Sequence, residues 1–388
     1  MFNNIESFNN FYTSLPDIEK SGRSIHEWVM KLVQSETHTI DGENFFIAPN
    51  LLEGNRAEFT NSYLEFIKKN KPKNIFCYLP TECHTPLIQE FFQDYFKNSK
   101  QDRISNLNSR LEEYDCTLYY IIGSHNVELY NTFFDETKIN RIQIIYWPTY
   151  LITHTFTLVF HGLLHKSEKA SLDLNKNFEK LFINYNNRPR IHRKIMMDLL
   201  VKNNLFSSGR NSWNNLSKDV LGTDIISEFE YETKYWNESL INLDEYNSKN
   251  KNYKEEHSDT MLNPNTLFSL VGETSMDVPY VTEKTYRCFF FKQPFIAYGA
   301  KGQNKEIIKY GFKIFDNIID YSFDDESNYM KRFQGLIEQL KKLNNLDYNE
   351  LYEKMNSVLE HNQKRVYELL TKDELVPKEL LKLYENRN

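Results

Sequence analysis

The sequence predicts an α/β protein made of two similar strand–helix halves followed by a helical tail. Short apolar runs alternate with helix-length amphipathic segments, first over residues 44–146 and again over residues 180–315. Strands and helices that alternate in this way form parallel sheets covered by helices on both faces. From about Ser327 to the end, apolar residues have the spacing of long amphipathic helices.

The first half contains four apolar runs that read as buried strands. These are Asn44–Ala48, Asn74–Leu79, Thr117–Ile122 and Arg141–Tyr146. Helical spacing is found between them at Ala57–Lys69, Pro86–Lys97 and Asn126–Phe134. We predict a domain over residues 1–150, followed by a bridge of residues 151–178 that becomes polar and charged.

The second half repeats the alternation. Its predicted strands are Lys180–Asn184, Leu267–Val271, Pro294–Tyr298 and Phe312–Phe315. One helix is predicted to begin with Pro189 and to run to about Asn203, and another covers Glu283–Phe291. This second domain occupies residues 179–325, and residues 326–388 form the helical tail.

Composition excludes several classes of protein. The 388 residues are 40% apolar and 15% aromatic, which is enough to bury the cores of two domains. The net charge of −7 makes nucleic acid an unlikely partner, since domains that bind nucleic acid are usually basic. Four scattered cysteines match neither a disulfide scaffold nor a zinc ribbon. With no signal peptide and no apolar run of membrane-spanning length, we expect a cytoplasmic protein without a membrane span.

A cluster of cations follows the strand Lys180–Asn184. Its members, at the start of the predicted helix, are Arg188, Arg190, His192, Arg193 and Lys194. Each cation at a helix N-terminus opposes the helix dipole by about 0.3–1 kcal/mol. A compensating anion is therefore expected, and exposed N–H groups with arginine make a phosphate site. The alternative is a set of solvated arginines paired with nearby carboxylates.

A second cluster follows the strand Leu267–Val271. The strand delivers Glu273 to its carboxyl end, and Thr282 is placed to cap a helix that opens with Glu283 and Lys284. Ligands of open α/β sheets bind outside the carboxyl ends of the strands. A carboxylate beside a helix N-terminus can bind two sugar hydroxyls, and a neighbouring lysine can bind phosphate. The alternative is a helix-capping glutamate with a surface lysine.

The run Phe268–Gly299 resembles the donor-binding signature of GT-B glycosyltransferases, and among them most closely the α-1,3-fucosyltransferases. In that family a strand ends in Glu-Asn, Tyr-(Ile/Val)-Thr-Glu-Lys opens a helix, and a Pro-led strand ends in Gly. The corresponding segments of this chain are Glu273–Thr274, Tyr280–Lys284 and Pro294–Gly299. Thr274 stands where the family has asparagine.

The resemblance implies a GT-B fold, in which two Rossmann-like domains face each other across a cleft and the helical C-terminal tail crosses back to the first domain. Residues 1–150 would bind the acceptor, and residues 179–325 the nucleotide-diphosphate sugar. By the family's roles, Tyr280, Glu283 and Lys284 would hold the donor, and Arg188 or Arg190 would contact its diphosphate. Glu273 and Thr282 complete the predicted donor site.

The implied reaction is an inverting transfer of a sugar to a glycan or another hydroxyl acceptor. A GDP-fucose-like donor is favoured over a UDP-sugar. Inversion requires a general base within hydrogen-bond reach of the acceptor hydroxyl. Candidates lie where strands of the first domain end, and they are Glu82 with His84 beside it, Glu53 and His125. Of these we favour Glu82.

No cofactor and no metal ion are predicted for this reaction. Cations and helix N-termini would neutralise the phosphates instead. His154, His161 and His165 could share one helix face, but the HGLLH segment lacks the glutamate of a zinc-protease helix. Packing is the preferred interpretation of these histidines.

Two alternative functions stay open at this point. One is a non-catalytic protein that binds a nucleotide sugar, and hydrolysis of the donor would distinguish an enzyme from it. The other is a glycosyltransferase that modifies nucleic acid. That function needs a contiguous basic groove, for which the first half offers only the charged run Lys68–Lys73.

Overall fold

The computed structural model describes residues 39–41, 44–47, 65, 67–79, 108–122, 134–136, 138–147, 178–186, 190–212, 265–274, 276, 279–290, 292–371 and 377–385. Its contacts divide the chain into two compact units. One unit comprises residues 15–153 and 371–388 and contains the first sheet. The other comprises residues 1–14 and 154–370 and contains the second sheet. Each is a mixed α/β unit with parallel strands, consistent with a Rossmann-like fold.

The first sheet has five strands in the order β1-β2-β3-β4-β5. They are β1 (Thr39–Asp41), β2 (Asn44–Ile47), β3 (Asn74–Leu79), β4 (Thr117–Ile122) and β5 (Ile142–Tyr146). β2 to β5 are parallel and match the four predicted strands to within one residue. β1 was not predicted, because its three residues include a single apolar side chain, and it pairs antiparallel with β2.

The core of this unit is built by strands β3, β4 and β5. Buried apolar side chains on them are Ile75, Phe76, Leu118, Ile121, Ile142 and Ile145. The rings of Phe76 and Tyr119, register partners on β3 and β4, stack with centroids 4.9 Å apart. Residues 67–70 are helical and end the predicted helix Ala57–Lys69. The predicted helix Pro86–Lys97 lies outside the described residues.

The second sheet has four parallel strands in the order β7-β6-β8-β9. They are β6 (Lys180–Asn184), β7 (Gly209–Asn211), β8 (Thr266–Gly272) and β9 (Phe295–Tyr298). The side chains of β6, β8 and β9 are buried along almost their whole length. This is typical of parallel strands covered on both faces, and it explains why their sequences are continuous apolar runs.

Besides shorter helical stretches such as 67–70 and 108–113, the described part of the chain contains six helices with defined bounds. They are α1 (Ile191–Lys202), α2 (Glu283–Phe290), α3 (Gln303–Glu306), α4 (Tyr329–Leu343), α5 (Tyr348–Thr371) and α6 (Lys378–Glu385). The long C-terminal helices are confirmed. The prediction that α1 begins with Pro189 is wrong, since Arg190 is the N-cap and Ile191 the first helical residue. Among these helices, none is both long and apolar enough to cross a membrane.

The prediction of a strand at Phe312–Phe315 is also wrong. The side-chain amide of Asn362 on α5 forms hydrogen bonds with both backbone groups of Lys313. It accepts from the Lys313 N–H at 2.7 Å and donates to the Lys313 carbonyl at 2.8 Å. These two hydrogen bonds take the place of those that a neighbouring strand would make with Lys313. Asn304 does the same at β9, where its amide contacts the N–H of Ala297 at 3.0 Å and the carbonyl at 2.8 Å.

Candidate functional site

The second sheet changes direction of winding between β6 and β8. From β6 the chain moves to β7 on one side of the sheet, and it then continues with β8 on the other side of β6. Ligands of open parallel sheets bind at such a switch point, outside the carboxyl ends of the strands. The residues that end these two strands and follow them, 184–186 and 272–274, are buried or half-buried. We call this region the switch-point edge.

Glu273 is the first residue after β8 and is completely buried. One carboxylate oxygen accepts from the Thr282 N–H at 3.1 Å and from the Thr285 hydroxyl at 2.6 Å, and the other accepts from the Thr282 hydroxyl at 2.6 Å. Burial raises the pKa of Glu273, and the nearby Lys284 charge opposes that rise. The carboxylate therefore anchors the start of α2 to the end of β8.

Thr282 is the cap of α2, as predicted. Its hydroxyl accepts from the Lys284 N–H at 3.4 Å, and its carbonyl accepts the first helical hydrogen bond, from Tyr286. The half-buried Lys284 places its ammonium 3.3 Å from the same hydroxyl. A cation at this end of a helix opposes the dipole, so the position favours an anionic ligand. Glu283 is the first helical residue, and its side chain lies outside the described part of the chain.

Tyr280 is held in place by its backbone. Its N–H donates to the Gln303 side-chain oxygen at 3.2 Å, and its carbonyl accepts from the Gln303 amide nitrogen at 2.9 Å. Gln303 begins α3 and is buried. Sequence analysis did not identify Gln303, because nothing local indicates a partner 23 positions away.

The start of α1 is bound to the end of β8. The Arg193 guanidinium donates to the Gly272 carbonyl from Nε at 3.2 Å and from Nη2 at 2.8 Å. His192 Nε2 lies 2.6 Å from the Glu273 carbonyl, and because a carbonyl only accepts, this nitrogen carries the proton. Both side chains are buried. Two helix N-termini thus meet the same pair of residues, Gly272 and Glu273.

The cation cluster at α1 is smaller than the sequence suggested. Burial, together with the neighbouring Arg193 charge, lowers the pKa of His192 to about 3, so this residue is neutral and the prediction of a cation there is wrong. Lys194 pairs with the buried Asp198 at 3.5 Å. Arg190 is half-buried at the N-cap and makes no side-chain cap hydrogen bond. Arg188 lies outside the described residues.

The neutral state of His192 makes stability depend on pH. In the unfolded chain His192 binds a proton with the ordinary pKa of 6.5, whereas in the folded chain its pKa is about 3. This contribution is complete above pH 6.5 and is lost as the pH falls toward 3. At pH 5.5 the loss should be about 1.4 kcal/mol.

Urea unfolding at pH 7.5 and pH 5.5 tests this expectation. Between these two pH values the wild-type protein should lose about 1.4 kcal/mol more stability than His192→Gln, whose amide can still donate to the Glu273 carbonyl. Equal losses in the two proteins would contradict a buried, neutral His192.

Among the residues that the structure describes, two buried polar atoms at the switch-point edge have no hydrogen-bond partner. They are Nδ2 of Asn186, after β6, and Oγ1 of Thr274, after β8. Asn186 is completely buried and Thr274 is 9% exposed. Such atoms are rare in folded proteins, and each needs a structural or functional explanation. Asn186 lies in the Asn-rich loop after β6 that the sequence analysis noted. Nothing in the sequence distinguished Asn186 from the other asparagines of that loop.

The predicted general bases are all in parts of the chain outside the described residues. Glu53, Glu82 and His84 lie outside the described residues, as does His125. The same holds for the three histidines of the bridge. Within the described ranges, no group of three or more His, Cys, Asp or Glu side chains is arranged to hold a metal ion.

Comparisons with known proteins give no family for this chain. No protein-family model matches it, and no curated protein matches it. Among solved structures, it is similar to the crystal structure of an alpha1,3-fucosyltransferase, with 13% sequence identity over 85% of this chain and 94% of that one. The TM-score is 0.28, which is too low to assign the chain to a family.

Proposed function

We propose that the chain is a glycosyltransferase and that the switch-point edge of its second sheet binds a nucleotide-diphosphate sugar. The observation that carries this proposal is that two helix N-termini converge on Gly272 and Glu273. α1 reaches them through His192 and Arg193, and α2 reaches Glu273 through Thr282.

Phosphate is the chemical group that suits this arrangement best. Each helix N-terminus presents N–H groups and the positive end of a dipole to an anion. Arg190 at the N-cap of α1 and Lys284 in the first turn of α2 add two positive charges, and the first turn of α1 contains no acidic residue. A diphosphate between the two helices would meet both dipoles and both charges.

The sugar, the nucleoside and the reaction are inferred from the sequence resemblance. Tyr280, Glu283 and Lys284 would hold a donor that is GDP-fucose-like in preference to a UDP-sugar. A hydroxyl of a glycan or another acceptor attacks the anomeric carbon, and the bond from that carbon to the diphosphate breaks. A general base takes the hydroxyl proton, and the nucleoside diphosphate leaves. Glu82, with His84 or Glu53 as alternatives, stays the prediction for that base.

Isothermal titration calorimetry with GDP, UDP and their sugars tests the donor site. Lys284→Met should weaken binding of the preferred nucleotide about ten- to hundredfold, because a charge-assisted hydrogen bond to phosphate is lost. Lys292→Met is the matched control, since Lys292 is also half-buried but lies just after the opposite end of α2, 3.7 Å from Glu360. It should bind as the wild type does.

Absence of binding by every nucleotide would reject the proposal, and equal effects of the two lysine variants would reject the site.

Turnover is a separate question. Glu82→Gln should bind the donor and lose transfer, and EDTA should leave transfer intact. Binding without transfer or donor hydrolysis in the wild-type protein would instead favour a non-catalytic nucleotide-sugar-binding protein.

A further inference from the structure

Two buried side chains hold the short segment Tyr280–Thr282 from its two ends. At Thr282, the Glu273 carboxylate accepts from the N–H at 3.1 Å and from the hydroxyl at 2.6 Å. At Tyr280, the Gln303 side chain accepts from the N–H at 3.2 Å and donates to the carbonyl at 2.9 Å. Glu273 and Gln303 are each at most 1% exposed. The segment that leads into α2 is therefore held by residues that follow two different strands, β8 and β9.

The two hydrogen bonds from Gln303 determine how the Tyr280 side chain leaves the backbone. A backbone N–H only donates and a carbonyl only accepts, so the amide turns its oxygen to the one and its NH₂ group to the other. The N–H and the carbonyl of one residue belong to the two peptide planes that flank its Cα atom. Because Gln303 holds both planes, the direction of the Tyr280 Cα–Cβ bond is fixed as well.

Gln303 is itself held in place, since its two neighbours in the chain are both bound. The Gly302 N–H donates to the Asp324 carbonyl at 2.7 Å, and the Asn304 N–H donates to the Asp324 carboxylate at 2.9 Å. The Asn304 side-chain amide bonds to both backbone groups of Ala297 on β9. Asp324 and Asn304 are each at most 1% exposed. The start of α3 is thus a fixed support against which Tyr280 is held.

The location of the residue it holds distinguishes Gln303 from other buried amides. Asn304 and Asn362 also bond to both backbone groups of a single residue, but Asn304 holds a residue inside β9 and Asn362 holds Lys313. Gln303 holds Tyr280, two positions before the cap of α2. This is the edge of the sheet at which the proposed function places the donor.

We propose that Gln303 is a positioning residue for donor binding, which fixes the direction of the Tyr280 side chain before the nucleotide sugar arrives. The inference rests on the proposed function, in which Tyr280 holds the donor. A side chain that is already ordered loses less conformational freedom on binding, so the affinity is higher. Gln303 acts through Tyr280 and does not touch the donor.

Calorimetric titration of the full-length protein with GDP-fucose and UDP-glucose tests this role. Gln303→Met replaces the amide by an apolar side chain of similar length and should weaken the preferred nucleotide sugar about three- to tenfold. In a Tyr280→Ala background the same substitution should change the affinity less than about twofold, because no side chain is left to orient. Its cost in thermal stability should persist there, since Tyr280→Ala keeps both backbone groups that Gln303 binds.

Gln303→Glu is the conservative variant that should restore binding at low pH. A protonated carboxyl has one accepting oxygen and one O–H donor, which can replace the oxygen and the NH₂ group of the amide. Burial favours this protonated form. At pH 5.5 the variant should bind the nucleotide sugar within about twofold of the wild type, whereas Gln303→Met stays weak. The diphosphate of a nucleotide sugar is esterified at both ends, so its charge does not change between pH 5.5 and pH 7.5.

Asn362→Leu is the matched control. Asn362 is 1% exposed, and its amide bonds to the N–H and carbonyl of Lys313 in the way that Gln303 bonds to Tyr280. This variant should lose thermal stability, as Gln303→Met does, and yet bind nucleotide sugars normally. Circular dichroism shows whether each variant is folded. If Gln303→Met is not, Gln303→Ala takes its place, because it leaves space for a water molecule to pair with the two backbone groups.

Three results would overturn the inference. If the wild type binds a nucleotide sugar and Gln303→Met binds it equally well, the positioning role falls and the proposed function stands. If Gln303→Met weakens binding equally with and without the Tyr280 side chain, or if Gln303→Glu stays weak at pH 5.5, Gln303 contributes to the fold alone. If the wild type binds neither nucleotide sugar nor any nucleotide, the inference and the proposed function fall together.

Discussion

Replacing Glu273 by alanine should lower the free energy of unfolding by about 3–5 kcal/mol. The carboxylate is fully buried and receives three hydrogen bonds, from the Thr282 N–H, the Thr282 hydroxyl and the Thr285 hydroxyl. Its removal leaves these donors without their acceptor and opens a cavity between β8 and α2. The start of α2 would lose its anchor, so donor binding should weaken as well.

Urea unfolding monitored by circular dichroism measures this effect, and two variants calibrate it. Glu273→Gln keeps the size of the side chain and one accepting oxygen, so its cost should be clearly smaller. Glu350→Ala removes a side chain that is 65% exposed and pairs with Lys354, and it should change stability by less than about 1 kcal/mol. A Glu273→Ala protein as stable as Glu350→Ala would show that the carboxylate does not anchor α2.

The strands of the second sheet could be predicted because burial on both faces demands continuous apolar runs. Lys180–Asn184 was predicted with its observed ends, and β9 was predicted one residue too long. β7 was missed, since Gly209–Asn211 joins the sheet through its backbone and has no apolar pattern. Phe312–Phe315 has such a pattern, but Asn362, some fifty positions along the chain, occupies its backbone groups.

The candidate site shows the same division between local and distant information. The cap at Thr282 follows from neighbouring residues and was predicted. The bond from Arg193 to Gly272 joins residues 79 positions apart, and no local pattern reveals it. The sequence therefore suggested a row of free cations at α1, whereas the fold uses Arg193 to hold a carbonyl and keeps His192 neutral.

Gly272→Ala should cost about 2–3 kcal/mol, because a methyl group has no space at this position. Tyr298, the register partner of Gly272 on β9, extends across β8 to reach Asn184 on β6. A Cβ atom at Gly272 would lie 2.6 Å from the Tyr298 hydroxyl oxygen and 2.8 Å from Cζ of the same ring. The backbone cannot shift easily, since Gly272 lies in a strand with neighbours on both sides and its carbonyl is held by Arg193.

A double-mutant cycle with Tyr298→Leu isolates the clash from other effects of the alanine. Leucine lacks both the Cζ and the hydroxyl oxygen that the new methyl group would meet, so Gly272→Ala should cost less in this background, with a coupling energy of about 1 kcal/mol or more. The free energy of unfolding of all four proteins gives that coupling directly. If the two free-energy costs were strictly additive, the alanine would act through the strand backbone and not through a clash with Tyr298. The missing side chain at Gly272 would then not be what allows Tyr298 to cross β8 and reach Asn184, beside the proposed diphosphate site.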